Sequence, residues 1–355
     1  MRSSVWLKPV ADSILPPSVH DFWVGRINPV WSRTRVLARV VSRQTAARDA
    51  VTLELKVNRN HRGLVPGQHI TVTVEIDGVR HARSYSPVLV AGDPRRLAIT
   101  VKRVEGGLVS NWLCDQVAVG EVVELGEAFG DMTVAAAPAA LLCLAAGSGI
   151  TPFLSMIRAQ ALLGMPRDIT LICWAGQRDE LCAVDELQAL AERFPRLRVQ
   201  FVLTRADADR DHGERLQAAH LAAVPGLAET TIYACGPAGF VATAGELAAA
   251  VAVPFHGEAF SLPTAAVASG APVRVTLARS RRELMVPAGQ PLLAAIEAEG
   301  LKPASGCRMG ICNTCACAKL EGSSEDVRTG ERHHEAASAL RICISSARSD
   351  LVLDL

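Results

Sequence analysis

The chain lacks an excess of charge of either sign. Its 37 basic and 36 acidic side chains leave a formal net charge of +1 over 355 residues. With no surplus of cations to neutralise phosphates, nucleic acid is disfavoured as its main partner. It also lacks an uninterrupted apolar run of about eighteen residues, the length a membrane-spanning helix needs. The longest candidate, Met132 to Ile150, contains Pro138, Gly147 and Gly149 and fits a strand followed by a turn. The opening M-R-S-S-V-W-L-K-P has no apolar stretch of signal-peptide length. No internal repeat or low-complexity tract stands out. These absences leave a cytoplasmic chain of two or three domains, each large enough for its own core.

Cysteine, by contrast, is abundant, with ten in the chain. Without secretory context they point to a reducing compartment and argue against a disulfide framework. Three of them crowd one stretch, A-S-G-C-R-M-G-I-C-N-T-C, placing Cys307, Cys312 and Cys315 in the spacing C-x4-C-x2-C. Cys343 follows after twenty-seven residues, in L-R-I-C-I. That is the plant-type [2Fe-2S] ligand pattern, whereas zinc would more usually show two CxxC-type pairs. Ser305, Gly306 and Gly310 are small or flexible, so backbone N–H groups can approach bridging sulfides closely. Cys317 is a lesser alternative ligand, and Cys114, Cys143, Cys173 and Cys182 sit in apolar surroundings that read as core.

Residues 1–33 form a preface holding Trp6, Trp23 and Trp31, three of the five tryptophans, together with Phe22. Two readings stay open: an arm packing its aromatics on a neighbouring domain, or an interfacial anchor of the kind tryptophan favours. Residues 34–136 carry short β-rich runs between turn signals at Pro66–Gly67, Asp77–Gly78 and Gly92–Pro94, which predicts a small antiparallel barrel. Within it lie Arg83-Ser84-Tyr85-Ser86 and a helix start led by Gly106 and Gly107 that carries Ser110. A glycine-led helix N-terminus offers free N–H donors to a pyrophosphate. Residues 137–260 alternate strand and helix, the pattern of a doubly wound parallel sheet. Its carboxyl-end turns hold Gly147-x-Gly149-x-x-Pro152, Thr204-Arg205 and Cys235-Gly236-Pro237. Residues 261–272 are small, uncharged and proline-punctuated, as a linker would be. A hairpin, a short helix ended by Gly300 and the cysteine loop fill residues 273–355, where His333-His334 read as a solvated helix start.

Taken in order, R-x-Y-S, G-x-x-S, G-x-G-x-x-P, C-G-P and H-x-E-x-F (His256 to Phe260) resemble the ferredoxin–NADP reductase superfamily, in the form with a plant-type ferredoxin at the C-terminus. The resemblance covers roughly residues 35–355 and implies a flavin barrel, a nicotinamide-binding α/β domain and a β-grasp ferredoxin domain. It implies that Arg83 pairs with a flavin phosphate, Tyr85 stacks on the isoalloxazine and Ser86 hydrogen-bonds near flavin N5. Ser84 belongs to the same motif, while Gly106, Gly107 and Ser110 would hold the FAD pyrophosphate. Gly147, Gly149 and Thr151 would line the dinucleotide site, with Cys235, Gly236, Pro237, Glu258 and Phe260 near the nicotinamide. Cys235 and Glu258 would position rather than react. The blander readings are an ordinary strand aromatic for Tyr85, a buried apolar residue for Cys235 and a solvated loop charge for Glu258.

FAD is favoured over FMN by the same analogy. Thr204 and Arg205 could grip a 2′-phosphate, which favours NADPH and leaves NADH possible. Hydride arrives as two electrons and a [2Fe-2S] cluster takes one, so a flavin between them completes a circuit. The acceptor would be a terminal oxygenase. D-F-W…N-P-V-W-S and E-D-V-R-T-G-E look like reductases of membrane acyl desaturases, which would allow peripheral membrane association through the partner. The alternative acceptor is a soluble diiron or ring-hydroxylating oxygenase. A cluster-based redox sensor is the reading from another class, but a sensor need not keep flavin and nicotinamide motifs together.

Overall fold

The computed structural model describes residues 17–134, 140–205, 214–260 and 271–355. Trp6 and all but the last two residues of the expected linker lie outside them.

In the first region β1 (Val36–Ala47), β2 (Ala50–Val57), β3 (Ile70–Ile76), β4 (Val79–Tyr85), β5 (Val88–Leu89), β6 (Arg96–Lys102) and β7 (Val122–Leu125) form one antiparallel sheet, ordered β4-β3-β7-β1-β2-β6-β5. Alternation decides which residues face inward. Val51, Leu53 and Leu55 of β2 meet Leu97, Ile99 and Val101 of β6 and Val72 and Val74 of β3 in a single core. The sheet curls around that core, as the barrel predicted from sequence requires. Leu53 is completely buried, so truncating it to alanine should cost about 2–5 kcal/mol.

The preface contains a helix, α1 (Pro17–Ile27), which the aperiodic sequence does not predict. Polar bonds fasten it. Asp21 accepts hydrogen bonds from Ser32 Oγ at 2.5 Å and from Arg33 N at 2.9 Å. Phe22, Trp23 and Trp31 are more than half exposed, so the reading in which the arm packs its aromatics away is corrected.

Between β6 and β7 lies α2 (Leu108–Asp115), whose Val109 and Leu113 join the barrel core. The second region is a parallel sheet of β8 (Ala140–Ala146), β9 (Asp168–Ala175), β10 (Leu197–Leu203), β11 (Thr230–Gly236) and β12 (Phe255–Ala259), ordered β10-β9-β8-β11-β12. Helices α3 (Ile150–Leu162) and α4 (Val184–Arg193) cover one face, where Phe153, Ile157 and Leu187 are buried. Helices α5 (Ala218–Ala222) and α6 (Ala238–Ala250) cover the other, through Leu221, Ala244 and Ala248. Strand order reverses between β8 and β11, which opens a crevice at their carboxyl ends.

The third region pairs β13 (Val273–Leu277) with β14 (Arg282–Val286) as a hairpin, and α7 (Leu292–Ala298) follows. β15 (Ala316–Glu321), β16 (Ser324–Asp326), β17 (Arg332–His333), β18 (Ala337–Arg341), β19 (Ser345–Ala347) and β20 (Leu351–Leu353) complete it. The larger sheet runs β14-β13-β20-β15-β18 and grips α7 through Leu292, Leu293 and Ile296; the smaller runs β17-β16-β19. His333 therefore does not begin a helix. It is solvated as predicted, but its backbone pairs with Ser324 on the free edge of β16. Among the described residues no helix is long and apolar enough to cross a membrane.

Candidate functional site

The cysteine loop joins α7 to β15. Arg308 and Asn313 take left-handed backbone angles, φ +60° and +55°, which turn successive N–H groups inward. Met309 N, Ile311 N and Cys312 N donate to Cys307 Sγ at 3.4, 3.4 and 3.3 Å, and Cys307 N donates to Cys312 Sγ at 3.2 Å. The thiols gather as two pairs, Cys307 with Cys312 and Cys315 with Cys343. Four thiolates ringed by backbone donors are what a [2Fe-2S] cluster requires, so the donor set fits. No three His, Cys, Asp or Glu side chains among the described residues converge to hold a single metal ion. A Cβ on Gly306 would stand 2.8 Å from Cys312 Sγ, so only glycine leaves that sulfur room. The bond from Cys307 pulls the Cys312 thiol down to about 5, whereas burial pushes Cys317 up to about 11 within the domain core.

At the end of β4 a cleft of about 480 Å³ opens over Arg83, Ser84, Tyr85 and Ser86. Ser84 Oγ and Ser86 Oγ are buried there without a hydrogen-bond partner. Orphaned polar atoms in a cavity of this size are a ligand's signature. Burial, and then the nearby Arg308, hold the Arg83 guanidinium below its usual range, and burial raises the Tyr85 phenol. Arg83 donates to Ala82 O at 2.7 Å and forms no ion pair among the described residues, which suits it to an incoming phosphate. Gly107 caps α2, whose first-turn N–H groups face the same cleft, with Ser110 one turn on. A second cavity of about 270 Å³, walled by Ile76 and Trp112, shares Gly106, Gly107 and Leu108 with the first. Two hollows on either side of a helix start fit a flavin dinucleotide better than a mononucleotide. The larger cleft is closed by Ser148, Thr151 and Phe260 of the parallel-sheet region and by Cys307 and Met309 of the cysteine loop.

The crevice between β8 and β11 holds the remaining predicted residues. Gly147 to Gly149 form a single 3-10 turn before α3, and a Cβ on Gly149 would lie 2.0 Å from Cys235 O. Thr151 Oγ1 donates to Ser148 O at 3.0 Å, and Phe260 N donates to Gly236 O at 2.9 Å. Pro237 caps α6. Cys235 is wholly buried, and burial followed by Glu258 keeps its thiol well above the usual range. It can shape the crevice but cannot touch a ligand without a shift. Thr204 Oγ1 is tied to Ala175 O at 3.3 Å. Arg205, 66% exposed, lies 3.7 Å from Glu180 at the carboxyl edge of the sheet.

Three family models match the chain in sequence order. They are an oxidoreductase FAD-binding domain over residues 37–133, an oxidoreductase NAD-binding domain over 143–246 and a 2Fe-2S iron-sulfur cluster binding domain over 275–348. An NADPH oxidoreductase of Mycobacterium tuberculosis is 33% identical over 98% of this chain and 92% of its own length. The chain belongs to the ferredoxin–NADP reductase superfamily. The ferredoxin reductase component of a 3-ketosteroid-9-alpha-monooxygenase from Rhodococcus rhodochrous is 32% identical over 73% of this reductase and 78% of that protein. Phthalate dioxygenase reductase shares the fold, with a TM-score of 0.64 at 24% identity over 90% of this reductase and 98% of that chain. This reductase is thus an oxidoreductase built for FAD, NAD(P)H and a [2Fe-2S] cluster, and some of its relatives are named as components of monooxygenases.

The reductase also carries site residues that sequence reasoning missed. His69 lines the flavin cleft, stacked on Phe129, with Nε2 3.2 Å from Glu258 Oε2. Burial lowers His69 to about 4 and raises Glu258 to about 7. Between about pH 4 and pH 7 both partners are therefore mostly neutral, and at no pH are both charged, so the contact is not an ion pair. Only the turn Pro66–Gly67 just before it hinted at His69. Glu180, 10% exposed, draws Lys102 of β6 to 3.5 Å as well as Arg205, and it also pairs with Arg48. Burial pushes its carboxyl up, but Lys102 and Arg205 more than offset that and hold it below the usual range. No spacing in the sequence relates Lys102, Glu180 and Arg205.

Proposed function

We propose that this reductase takes electrons from NADPH at the Tyr85–Ser86 wall and hands them singly, from the Cys312 side of the cysteine loop, to a separate terminal oxygenase. One observation carries the reading. Cys307 and Met309 line the flavin cleft, while Thr314 is exposed outside it and Cys312 is partly so. The loop thus has an inner, flavin-facing side and an outer side open to a partner. When bound, a flavin would accept hydride from the nicotinamide and release electrons one at a time to the cluster. The chain's own work is to hold and orient. Arg83 supplies the cation for the flavin phosphate, and the first turn of α2, with Gly107 and Ser110, supplies N–H donors for the pyrophosphate. Tyr85 provides the ring face, and Ser86 Oγ provides a hydrogen bond at the reactive edge. Gly147, Gly149 and Thr151 shape the dinucleotide seat, and Gly236 and Phe260 close it. Cys307, Cys312, Cys315 and Cys343 ligate the cluster. No side chain needs to act as nucleophile or general acid.

NADPH is the donor because Arg205 stands exposed where a 2′-phosphate would lie. Arg205→Ala should raise the NADPH KM by roughly ten- to a hundredfold, the worth of a hydrogen bond to a charged group, and leave the NADH KM nearly unchanged. Equal effects on both would remove the preference. The outlet is tested with cytochrome c as a one-electron acceptor. NADPH-driven reduction should vanish in Cys315→Ser, and full activity without the cluster would refute the route.

The names of the relatives favour a soluble diiron or ring-hydroxylating oxygenase as acceptor. A membrane acyl desaturase is a second reading, supported by the exposed aromatic face of α1. Reconstituting turnover with one purified acceptor of each kind decides between them.

A further inference from the structure

The outer face of α1 takes no part in the electron path. Val19, Phe22, Trp23 and Ile27 recur at helical spacing on that face, and they are 41, 55, 61 and 76% exposed. Trp31, just beyond the helix, is 51% exposed. Phe22 and Trp23 meet edge to face at 5.3 Å, and the Arg26 guanidinium lies 4.7 Å above the Phe22 ring. These side chains do not hold the arm to the barrel. Asp21 ties α1 to Ser32 and Arg33 of the segment that follows it, and that segment is held to the barrel by Asn58 Nδ2 donating to Val30 O at 3.1 Å, by Asn60 Nδ2 donating to Ser32 O at 3.0 Å, and by Arg39 donating to Asn28 Oδ1 at 3.0 Å. A polar mount therefore presents an apolar face to water. Contiguous exposed apolar surface of this kind marks an interaction site.

Charge says what it meets. Between residues 17 and 35 the only carboxylate is Asp21, turned inward onto Ser32 and Arg33, whereas Arg26 sets a positive charge against the aromatic face; Arg35 is paired with Glu124 of the barrel. Arg59, beside Asn60, is also exposed, whereas Arg62 lies 3.9 Å from the exposed Glu127. Tryptophan and phenylalanine edged by the Arg26 guanidinium, on a helix whose one carboxylate is turned inward, match the headgroup layer of an anionic bilayer. There indole rings settle at headgroup depth and arginine meets lipid phosphate. We propose that α1 and Trp31 form an interfacial anchor that docks this reductase directly on an anionic lipid surface. The anchor does not depend on which acceptor the reductase serves.

The test uses the full-length protein loaded with flavin and cluster, sedimented with phosphatidylcholine vesicles with or without phosphatidylglycerol. The protein should pellet with the anionic vesicles, its tryptophan emission should shift to the blue, and added salt should weaken binding. The double variant Phe22→Ser/Trp23→Ser should lose at least about tenfold in partition coefficient. Arg26→Glu should lose binding only where phosphatidylglycerol is present. Unchanged flavin and cluster absorbance would show that the variants fold. Failure of the wild type to bind anionic vesicles would overturn the proposal, as would equal binding by the double variant. A wild-type dimer that ignores vesicles and that the double variant dissociates would also overturn it, by assigning the face to a second copy of the chain.

Discussion

The cysteine loop and the flavin cleft touch, yet they are built in opposite ways. The loop draws three of its four thiols from nine consecutive residues, Cys307 to Cys315, and its donors are the backbone N–H groups of the same turn. The cleft has no such locality. His69 lies just before β3 and Ser86 just after β4, while Lys102 comes from β6, Thr151 from α3 and Met309 from the loop itself. The short loop supplies all but Cys343 of its ligand's contacts, whereas the cleft exists only once three regions have packed. Damage to the loop should therefore be local and complete, and damage to the cleft should be graded.

The largest expected effect is that of Cys312→Ser. It removes one of the four proposed ligands, so the visible bands of the cluster should be lost and reduction of cytochrome c should fall to background. Flavin should be retained, because no cleft contact changes. Loss of flavin in this variant would show that loop and cleft fold as one unit and would break the contrast. Arg83→Ala should come next, lowering flavin affinity by roughly ten- to a hundredfold while leaving cluster absorbance intact, since one charge-assisted bond is removed.

The smallest effect concerns Glu258. Burial raises its carboxyl to about 7, so the folded chain keeps a proton that the unfolded chain loses near its ordinary 4.5. The resulting cost is absent below about pH 4.5, grows as pH rises and is complete above about pH 7. Glu258→Gln abolishes that titration. Its melting temperature relative to wild type should therefore climb by roughly 2–4 °C between about pH 5 and pH 8. His69, depressed to about 4, loses stability as pH falls from 6.5 and so slopes the other way, but it is common to both proteins and largely cancels. A difference that stays flat with pH would show that Glu258 is solvated.

Legibility in the sequence follows the same division. The C-x4-C-x2-C loop could be read because its chemistry and its spacing coincide in one segment. The barrel, the parallel sheet and the hairpin could be read because alternation and turn residues are local. Arg83, Tyr85 and Ser86 were legible through their motif, whereas His69 and Lys102 were not, because each is one residue in an ordinary strand run until another domain covers it. Glu180 was hidden for the same reason: its partners Arg48, Lys102 and Arg205 come from two domains. The arm misled because aromatic residues usually signal burial, and here the hydrogen bonds of Asp21, Asn58 and Asn60 make burial unnecessary.

The central claim is that Met309 and Cys307 bring the cluster loop to the flavin within one chain. It is tested most directly by mixing the loaded reductase anaerobically with NADPH and following the flavin and cluster bands by rapid absorbance. The flavin band should bleach first, and the cluster bands should follow at a rate that does not change with protein concentration. A cluster phase that quickens with protein concentration, or that never appears, would contradict it.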